Sequence, residues 1–396
     1  MAYRILVVNV ASHGHVYPTL ATVGELVRRG HRVTYVTSAD FAPHVAATGA
    51  AVLRYESRIA EVDPAEVFAD AEDGALPHML YLEENTAVLK ATESGYGPEP
   101  PDLVVYGDFP VIAGQLLAAR WDRPAARLSA AFASNETYSF SRDMIEAAGF
   151  VDPLALPSFR TRLGALLSSY GVGTPVEEFW HRVEGLTLVF VPKEFQPAGE
   201  SFDDRFAFVG PCIGDMPRLG GWQRPDDGLP VVLVSLGTTF NDHPSFFAEC
   251  ARAFAGQPWH VVMSVGDQVD IDALRPLPAN VEAHRWVSHL AVLEHASACV
   301  THGGMGTVMA SLYWGRPLVV APRSPDVVPM AQQVSSLGLG GLVRPEEVSG
   351  SRLLSAVREV TADAALLDRV GQMRRAIREA GGADRAADEI EAYLKR

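Results

Sequence analysis

Apolar positions in this chain fall into short unbroken runs, and helical spacing separates them. Ile5-Leu-Val-Val-Asn-Val10 opens the series with almost no polar alternation, the pattern of a strand buried on both faces. The pattern then predicts a helix from about Tyr17 to Arg29, a Gly30 cap and a strand from Arg32 to Thr37. Strand, helix, glycine, strand is a βαβ unit of a doubly wound α/β sheet. A helical stretch at Ala42–Thr48 and a strand at Ala51–Tyr55 follow. Ser57 to Pro100 is irregular apart from a helix over Met79–Ser94, and insertions of this kind build binding walls. Regular patterning returns with a strand at Asp102–Tyr106, a helix over 111–120 and strands at Ala125–Ala131, Leu186–Val191 and Phe206–Val209. Between them, 132–185 carries many aromatics without clean period, which fits either a pocket or plain helix packing.

A Pro- and Gly-rich stretch from Pro211 to Pro230 then reads as a linker, and a second βα series begins at Val231. Its expected elements are a strand into Ser235, a helix over 244–255, strands at Trp259–Val265 and Val281–His284, and a strand at Leu339–Val343. Val360–Arg378 and Ala383–Leu394 have amphipathic helical spacing. The division expected is a domain over 1–212, a linker over 213–230, a domain over 231–378 and a final helix over 379–396.

The centre of the second series is ACVTHGGMGTVMASLYWGRPLVVAP, Ala298 to Pro322: a strand at Cys299–Thr301, a glycine turn, a helix from about Thr307 to Tyr313 and a strand at Leu318–Ala321. Gly303, Gly304 and Gly306 let the backbone approach a ligand with no Cβ in the way. The helix aims its free N–H groups and positive dipole end at that turn, as in an anion site. His302, at the strand's carboxyl end, adds a ring donor or is a hydrogen-bonded core histidine. The turn is neither GxGxxG nor GxxxxGK[ST], so dinucleotide and P-loop readings fail. Metal-free recognition of a diphosphate is the chemistry it suggests.

With 396 residues the chain has room for two cores, and 48% hydrophobic with 20% charged residues is ordinary for a soluble globular protein. A net charge of −15 argues against a nucleic-acid or anionic-membrane partner. Cys212, Cys250 and Cys299 form no CxxC and no His/Cys set at metal spacing, so a reduced, cytoplasmic setting is expected. No apolar run is long enough for a membrane span. Nothing bears on oligomeric state, and a homodimer stays open.

Four features carry candidate chemistry. His15, where the first strand ends, is placed to act as a general base, with His13 its local competitor. Asp108 either orients that imidazole or caps the helix that follows it. Ser235, Thr238 and Thr239 line a second glycine-containing strand-end turn at Gly237 and could offer hydroxyls to a phosphate or sugar. Trp286-Val287 lies at another strand end, where an indole either stacks on a planar base or packs in the core.

Together, HGHVYP, Val234-Ser-Leu-Gly-Thr238, Trp286-Val287 and His302-Gly-Gly-Met-Gly306 give the chain a close resemblance to the GT-B nucleotide-sugar glycosyltransferases that modify macrolide and enediyne (calicheamicin-type) antibiotics. The resemblance covers essentially the whole chain and extends to PDLVVY, RWDRPA, RFAFVGP and WHVVM. It implies the GT-B fold, two doubly wound Rossmann-like domains facing across a cleft, with the final helix returning to the first domain. It also implies an inverting, metal-independent transfer with no cofactor beyond the nucleotide-sugar donor, to a hydrophobic small-molecule acceptor. His15 matches the base and an Asp its orienting partner; His302, Gly304, Met305, Gly306 and Thr307 match the diphosphate contacts, and Trp286-Val287 the base-binding stretch. Acceptor contacts are expected from His13, Met79, Phe109, Phe132 and Tyr138 in the first domain.

Three positions depart from the family pattern. Its dyad Asp falls where this chain has Gly107, one place before Asp108. A ribose-binding Glu after the glycine turn is Ala310, and the Asp-Gln pair that holds hexose hydroxyls is Asp326-Val327. Valine neither donates nor accepts a hydrogen bond, which points to a deoxy- or amino-sugar on thymidine diphosphate (TDP). The rival expectations are a GT-B epimerase or retaining transferase, and a non-catalytic nucleotide-sugar-binding partner of another glycosyltransferase.

Overall fold

The computed structural model describes residues 2–62, 75–213, 221–238 and 241–396. They divide into two units, Met1–Met216 with Ala380–Arg396, and Pro217–Glu379. Part of the expected linker, 214–220, and Thr239 lie outside the described residues.

The first unit is a parallel sheet with helices on both faces. Its elements in order are β1 (Arg4–Val8), α1 (His13–Arg28), β2 (Arg32–Thr37), α2 (Ala42–Ala46), β3 (Ala51–Arg54), α3 (Leu76–Gly95) and β4 (Leu103–Gly107). They continue with α4 (Val111–Trp121), β5 (Ala125–Ser129), α5 (Phe140–Ala148), α6 (Pro157–Ser169), α7 (Val176–Trp180), β6 (Thr187–Val189) and β7 (Phe206–Phe208). The strand order is β3-β2-β1-β4-β5-β6-β7, with Ile5 level with both Val33 and Leu103. Ile5 and Val7 face one core with Val16, Leu20 and Val23 of α1; Leu6 and Val8 face the other with Ile112 and Leu116 of α4. Burial on both faces is why the strand reads as an apolar run, and each such side chain contributes about 1.5–3 kcal/mol.

The second unit repeats the plan with β8 (Val231–Ser235), α8 (Pro244–Phe254), β9 (His260–Ser264), β10 (Val281–His284), α9 (His289–His295), β11 (Ala296–Thr301) and α10 (Met305–Tyr313). It closes with β12 (Leu318–Val320), α11 (Val328–Ser336), β13 (Gly340–Leu342), α12 (Gly350–Ala362) and α13 (Ala364–Glu379). Its strand order is β10-β9-β8-β11-β12-β13. In sheets of this kind the order reverses direction at one point, here between β1 and β4 and between β8 and β11, and ligands bind outside the carboxyl ends there.

Three elements differ from their sequence expectation. Helix α1 starts at His13 rather than Tyr17, because Ser12 takes the extended N-cap conformation and Pro18 sits early enough to forfeit little more than one carbonyl bond. The helix expected over Val360–Arg378 is two, since Asp363 leaves helical geometry and its carboxylate accepts from Leu366 N at 3.0 Å, starting a new turn. The long aromatic stretch after Phe132 contains α5, α6 and α7.

The last helix, α14 (Gly382–Tyr393), is part of the first unit. Ala383, Ala386, Ala387 and Ile390 enter the same core as Ile5 and Val7. Arg29 reaches Asp388 at 2.5 Å, and Gly382 N donates to Val209 O at 2.8 Å. Among the described residues no helix is long and apolar enough to cross a membrane, and no three His, Cys, Asp or Glu side chains converge as metal ligands.

Candidate functional site

In the first unit, β1 delivers the chain to the sheet's switch point, and a buried amide shapes the loop beyond it. Asn9 is 1% exposed. Its Nδ2 donates to the His15 carbonyl at 2.8 Å and to Tyr35 Oη at 3.2 Å, while its Oδ1 accepts from Val10 N at 3.0 Å. Tyr35 Oη in turn meets Thr19 Oγ1 at 2.9 Å. The backbone of the predicted base is thus braced from the core side.

The His15 ring is half-buried and lies edge-on to Phe109, centroids 6.3 Å apart. Burial pulls its pKa below the ordinary 6.5, and the Asp108 charge pulls the other way. Near neutral pH the ring is therefore in the proton-accepting form. Asp108 acts on it through charge and not through a hydrogen bond. One carboxylate oxygen takes Arg127 Nε at 3.0 Å; the other takes Ser129 Oγ at 3.0 Å and Ala130 N at 2.9 Å. The helix-cap alternative fails as well, because Pro110 is the N-cap of α4.

Gly107, where the resemblance leads one to expect the aspartate, has a structural reason. A Cβ there would come within 2.2 Å of Asn9 Oδ1. Any side chain at 107 would displace the amide that braces His15.

The expected acceptor residues separate into different places. Phe109 stays beside His15 and packs against Tyr81 at 4.9 Å; Tyr81 meets Trp180 at 5.9 Å, which meets Phe159 at 5.3 Å. Met79 packs against the same core from α3. Asn85 fixes this wall: its Nδ2 donates to the carbonyls of Tyr81 and Phe109, and its Oδ1 accepts from Ala113 N. His13 lies instead with Tyr17 and Phe41, at 5.3 and 5.0 Å. Phe132, 2% exposed, is packed between Phe140 and Phe195 and offers no open face, which corrects its expected role as a wall. Tyr138, half-buried, precedes α5 in that neighbourhood and is tied to Asn135 through its backbone N–H.

The second unit builds its switch point from two matching turns. Ser235 and Thr301 are register partners at the ends of β8 and β11. Ser235 Oγ accepts from Gly237 N at 3.2 Å and Thr301 Oγ1 from Gly303 N at 3.2 Å. Gly237 and Gly303 both have left-handed backbones, φ +83° and +103°, which a side chain would strain. Ser235 was expected to meet the ligand; it is buried, and its hydroxyl shapes the turn instead.

His302 lies between these turns. A Cβ on Gly237 would fall 2.4 Å from its Cε1, and one on Gly304 would fall 2.7 Å from its Nε2. Its Nδ1 is buried with no partner among the described residues. Next to the ring, α10 follows its N-cap Gly304 with no side-chain cap, so its first amides are unsatisfied within the helix. Gly306 is exposed and Thr307 half-buried in this first turn. Met305 is buried by its side chain, which leaves its backbone N–H as the available contact. The arrangement suits an oxyanion.

Trp286 is 48% exposed, and its Nε1 donates to Asp267 at 2.8 Å, so the indole is anchored at the surface. Val287 is buried in the core, Thr238 is exposed, and Asp326 has a buried Oδ1 without a partner among the described residues. His289, not anticipated from sequence, starts α9 and faces His302 electrostatically.

Burial lowers the pKa of His302 to about 4, helped by the charge of His289, and burial lowers that of His289 to about 4 also. Both histidines are neutral at physiological pH. The unfolded chain takes up these protons first as pH falls, so their contribution to stability is present above 6.5 and is lost between 6.5 and about 4. The melting temperature is expected to fall through that window, and His289→Gln to flatten the decline. A melting curve of equal slope for parent and variant would refute this.

Residues 259–389 match the family model described as Erythromycin biosynthesis protein CIII-like, C-terminal domain. The chain is 38% identical over 403 residues to NDP-glycosyltransferase YjiC of Bacillus subtilis (strain 168), covering 100% of this chain and 98% of that protein. It is 37% identical over 389 residues to demethyllactenocin mycarosyltransferase of Streptomyces fradiae, covering 96% and 84%. The crystal structure of the calicheamicin glycosyltransferase CalG4 matches with a TM-score of 0.90 at 49% identity, covering 100% of this chain and 99% of that one.

Proposed function

The chain belongs to the GT-B glycosyltransferases of the antibiotic-modifying family, and from that premise we propose that it moves a deoxy- or amino-sugar from a TDP-sugar to a hydroxyl of a polyketide-type acceptor, with inversion and without a metal ion. The observation that carries the reading is the His302 ring held between Gly237 and Gly304 beside the uncapped start of α10. Neutral donors of that kind hold a diphosphate through hydrogen bonds.

The step is a displacement. His15 accepts the proton of the acceptor hydroxyl as the oxygen bonds to the anomeric carbon. The bond from that carbon to the diphosphate breaks on the opposite face, and its electron pair leaves with the phosphate oxygen. The imidazole of His302 and the amides of Gly304, Met305 and Gly306 receive the charge that develops there. Trp286 offers its face to the nucleobase. The aromatic wall of Phe109, Tyr81 and Trp180 suits an apolar acceptor. Asp326 keeps one buried oxygen for a sugar hydroxyl or ammonium, while Val327, buried, adds no polar contact. The antibiotics in the names of the relatives, demethyllactenocin and calicheamicin, set the acceptor class to try first.

The test is transfer from a panel of α-linked TDP-deoxysugars to polyketide aglycones in the presence of EDTA, with the product linkage read by NMR. A β-linked product is expected. An α-linked product overturns inversion, and loss of activity in EDTA overturns metal independence. Nucleotide binding without transfer to any acceptor favours the non-catalytic partner instead.

A further inference from the structure

A charged feature of the second unit has no part in the displacement just described. Arg323 follows β12, three residues past its end, and its Nη2 lies 3.3 Å from Nδ1 of His243, the residue that precedes α8. The strand order is β8-β11-β12, so a side chain leaving the end of β12 for the loop after β8 spans the end of β11. His302 and the Gly303 turn stand at that end. The turn also lies close to the segment after β12 that carries Arg323, since a Cβ on Gly303 would lie 3.6 Å from the Val327 carbonyl oxygen.

The electrostatics of Arg323 are incomplete. Its Nε is buried and unpartnered, and among the described residues it forms no ion pair with a carboxylate. Its neighbour His243 is a weak counterpart, kept neutral by burial and by the Arg323 charge itself. Ser324, 7% exposed, adds a buried hydroxyl with no partner among the described residues. A partly buried guanidinium without an anion is costly unless a ligand provides one. His302 brings no formal charge near neutral pH, and the amides of α10 bring none.

We propose that Arg323, bridging to His243 across the end of β11 with Ser324 beside it, is the cation that grips the terminal phosphate of the donor's nucleoside diphosphate. This rests on the donor reading under Proposed function and adds the group that separates a diphosphate from a monophosphate. When the bond to the sugar breaks, the new negative charge appears on that phosphate, and a guanidinium forks two charge-assisted hydrogen bonds onto it.

The test is calorimetric titration of the full chain with TDP and with TMP. Arg323→Gln is expected to weaken TDP by about 10- to 100-fold and to leave TMP nearly unchanged, as for loss of a charge-assisted contact. Arg323→Lys, which keeps a point charge and guards against a folding defect in the first variant, should retain a preference for TDP over TMP. An equal loss for both nucleotides, or unchanged TDP affinity in Arg323→Gln, overturns the assignment. So does a variant that binds TDP normally but fails to bind a TDP-uronate, which would make the anion a sugar carboxylate. Failure of the parent chain to bind TDP would instead overturn the donor reading itself.

Discussion

His15→Ala is expected to lower turnover by about 10²- to 10⁴-fold while leaving TDP affinity intact, the loss usual for a positioned general base. Its imidazole is at the first unit's switch point in the neutral form, and among the described residues no neighbour is equipped to replace it. Both oxygens of Asp108 are committed to Arg127, Ser129 and Ala130, and the His13 ring is packed with Tyr17 and Phe41. The Asn9 brace holds the backbone carbonyl of residue 15, so truncation of the side chain leaves the brace in place. Because burial depresses the pKa of His15, the acid limb of kcat/KM should lie below 6.5 in the parent and vanish in the variant. Turnover matching the parent's would remove His15 from the mechanism.

Gly237→Ala is expected to weaken TDP binding by about 10- to 100-fold. An alanine at φ +83° costs about 1–2 kcal/mol of backbone strain. Its Cβ would also sit 2.4 Å from the His302 ring, which must move and surrender the proposed phosphate contact, at about 1.5–3 kcal/mol for a hydrogen bond to a charged group. The lost contact amounts to roughly one to two orders of magnitude in affinity, while the backbone strain, common to free and bound protein, lowers stability instead. The cause is separable by a double-mutant cycle with His302→Ala, in which the glycine substitution should cost much less. Full additivity would show that the ring is not what the new methyl displaces.

The strands were legible because parallel sheets covered on both faces leave no polar alternation: Ile5–Val8 and Val231–Ser235 announce themselves. Helix starts were harder. Gly14 and Pro18 look like loop residues, yet the true signal was Ser12 in the N-cap, and Asp363 gave the same signal inside a continuous amphipathic spacing. His15 and His302 could be picked out because strand ends bring chemistry to known edges. What their neighbours do could not. Asp108 is claimed by residues on β5, which only strand pairing brings alongside, and Asn9 hides in an apolar run while its amide braces a helix. Arg323 and His243 are 80 positions apart in sequence. Phe132 and Phe109 look alike in the sequence, and packing gives one to the interior and the other to the site.

The bond from Gly382 to Val209 makes the second unit an excursion from the first, with departure and return side by side in the first unit's structure. During synthesis, the early sheet therefore emerges lacking Ala383, Ala386, Ala387 and Ile390, with an apolar strip uncovered until the second unit has been made. The core of the half bearing His15 can therefore be completed only after the second unit's residues have been synthesised.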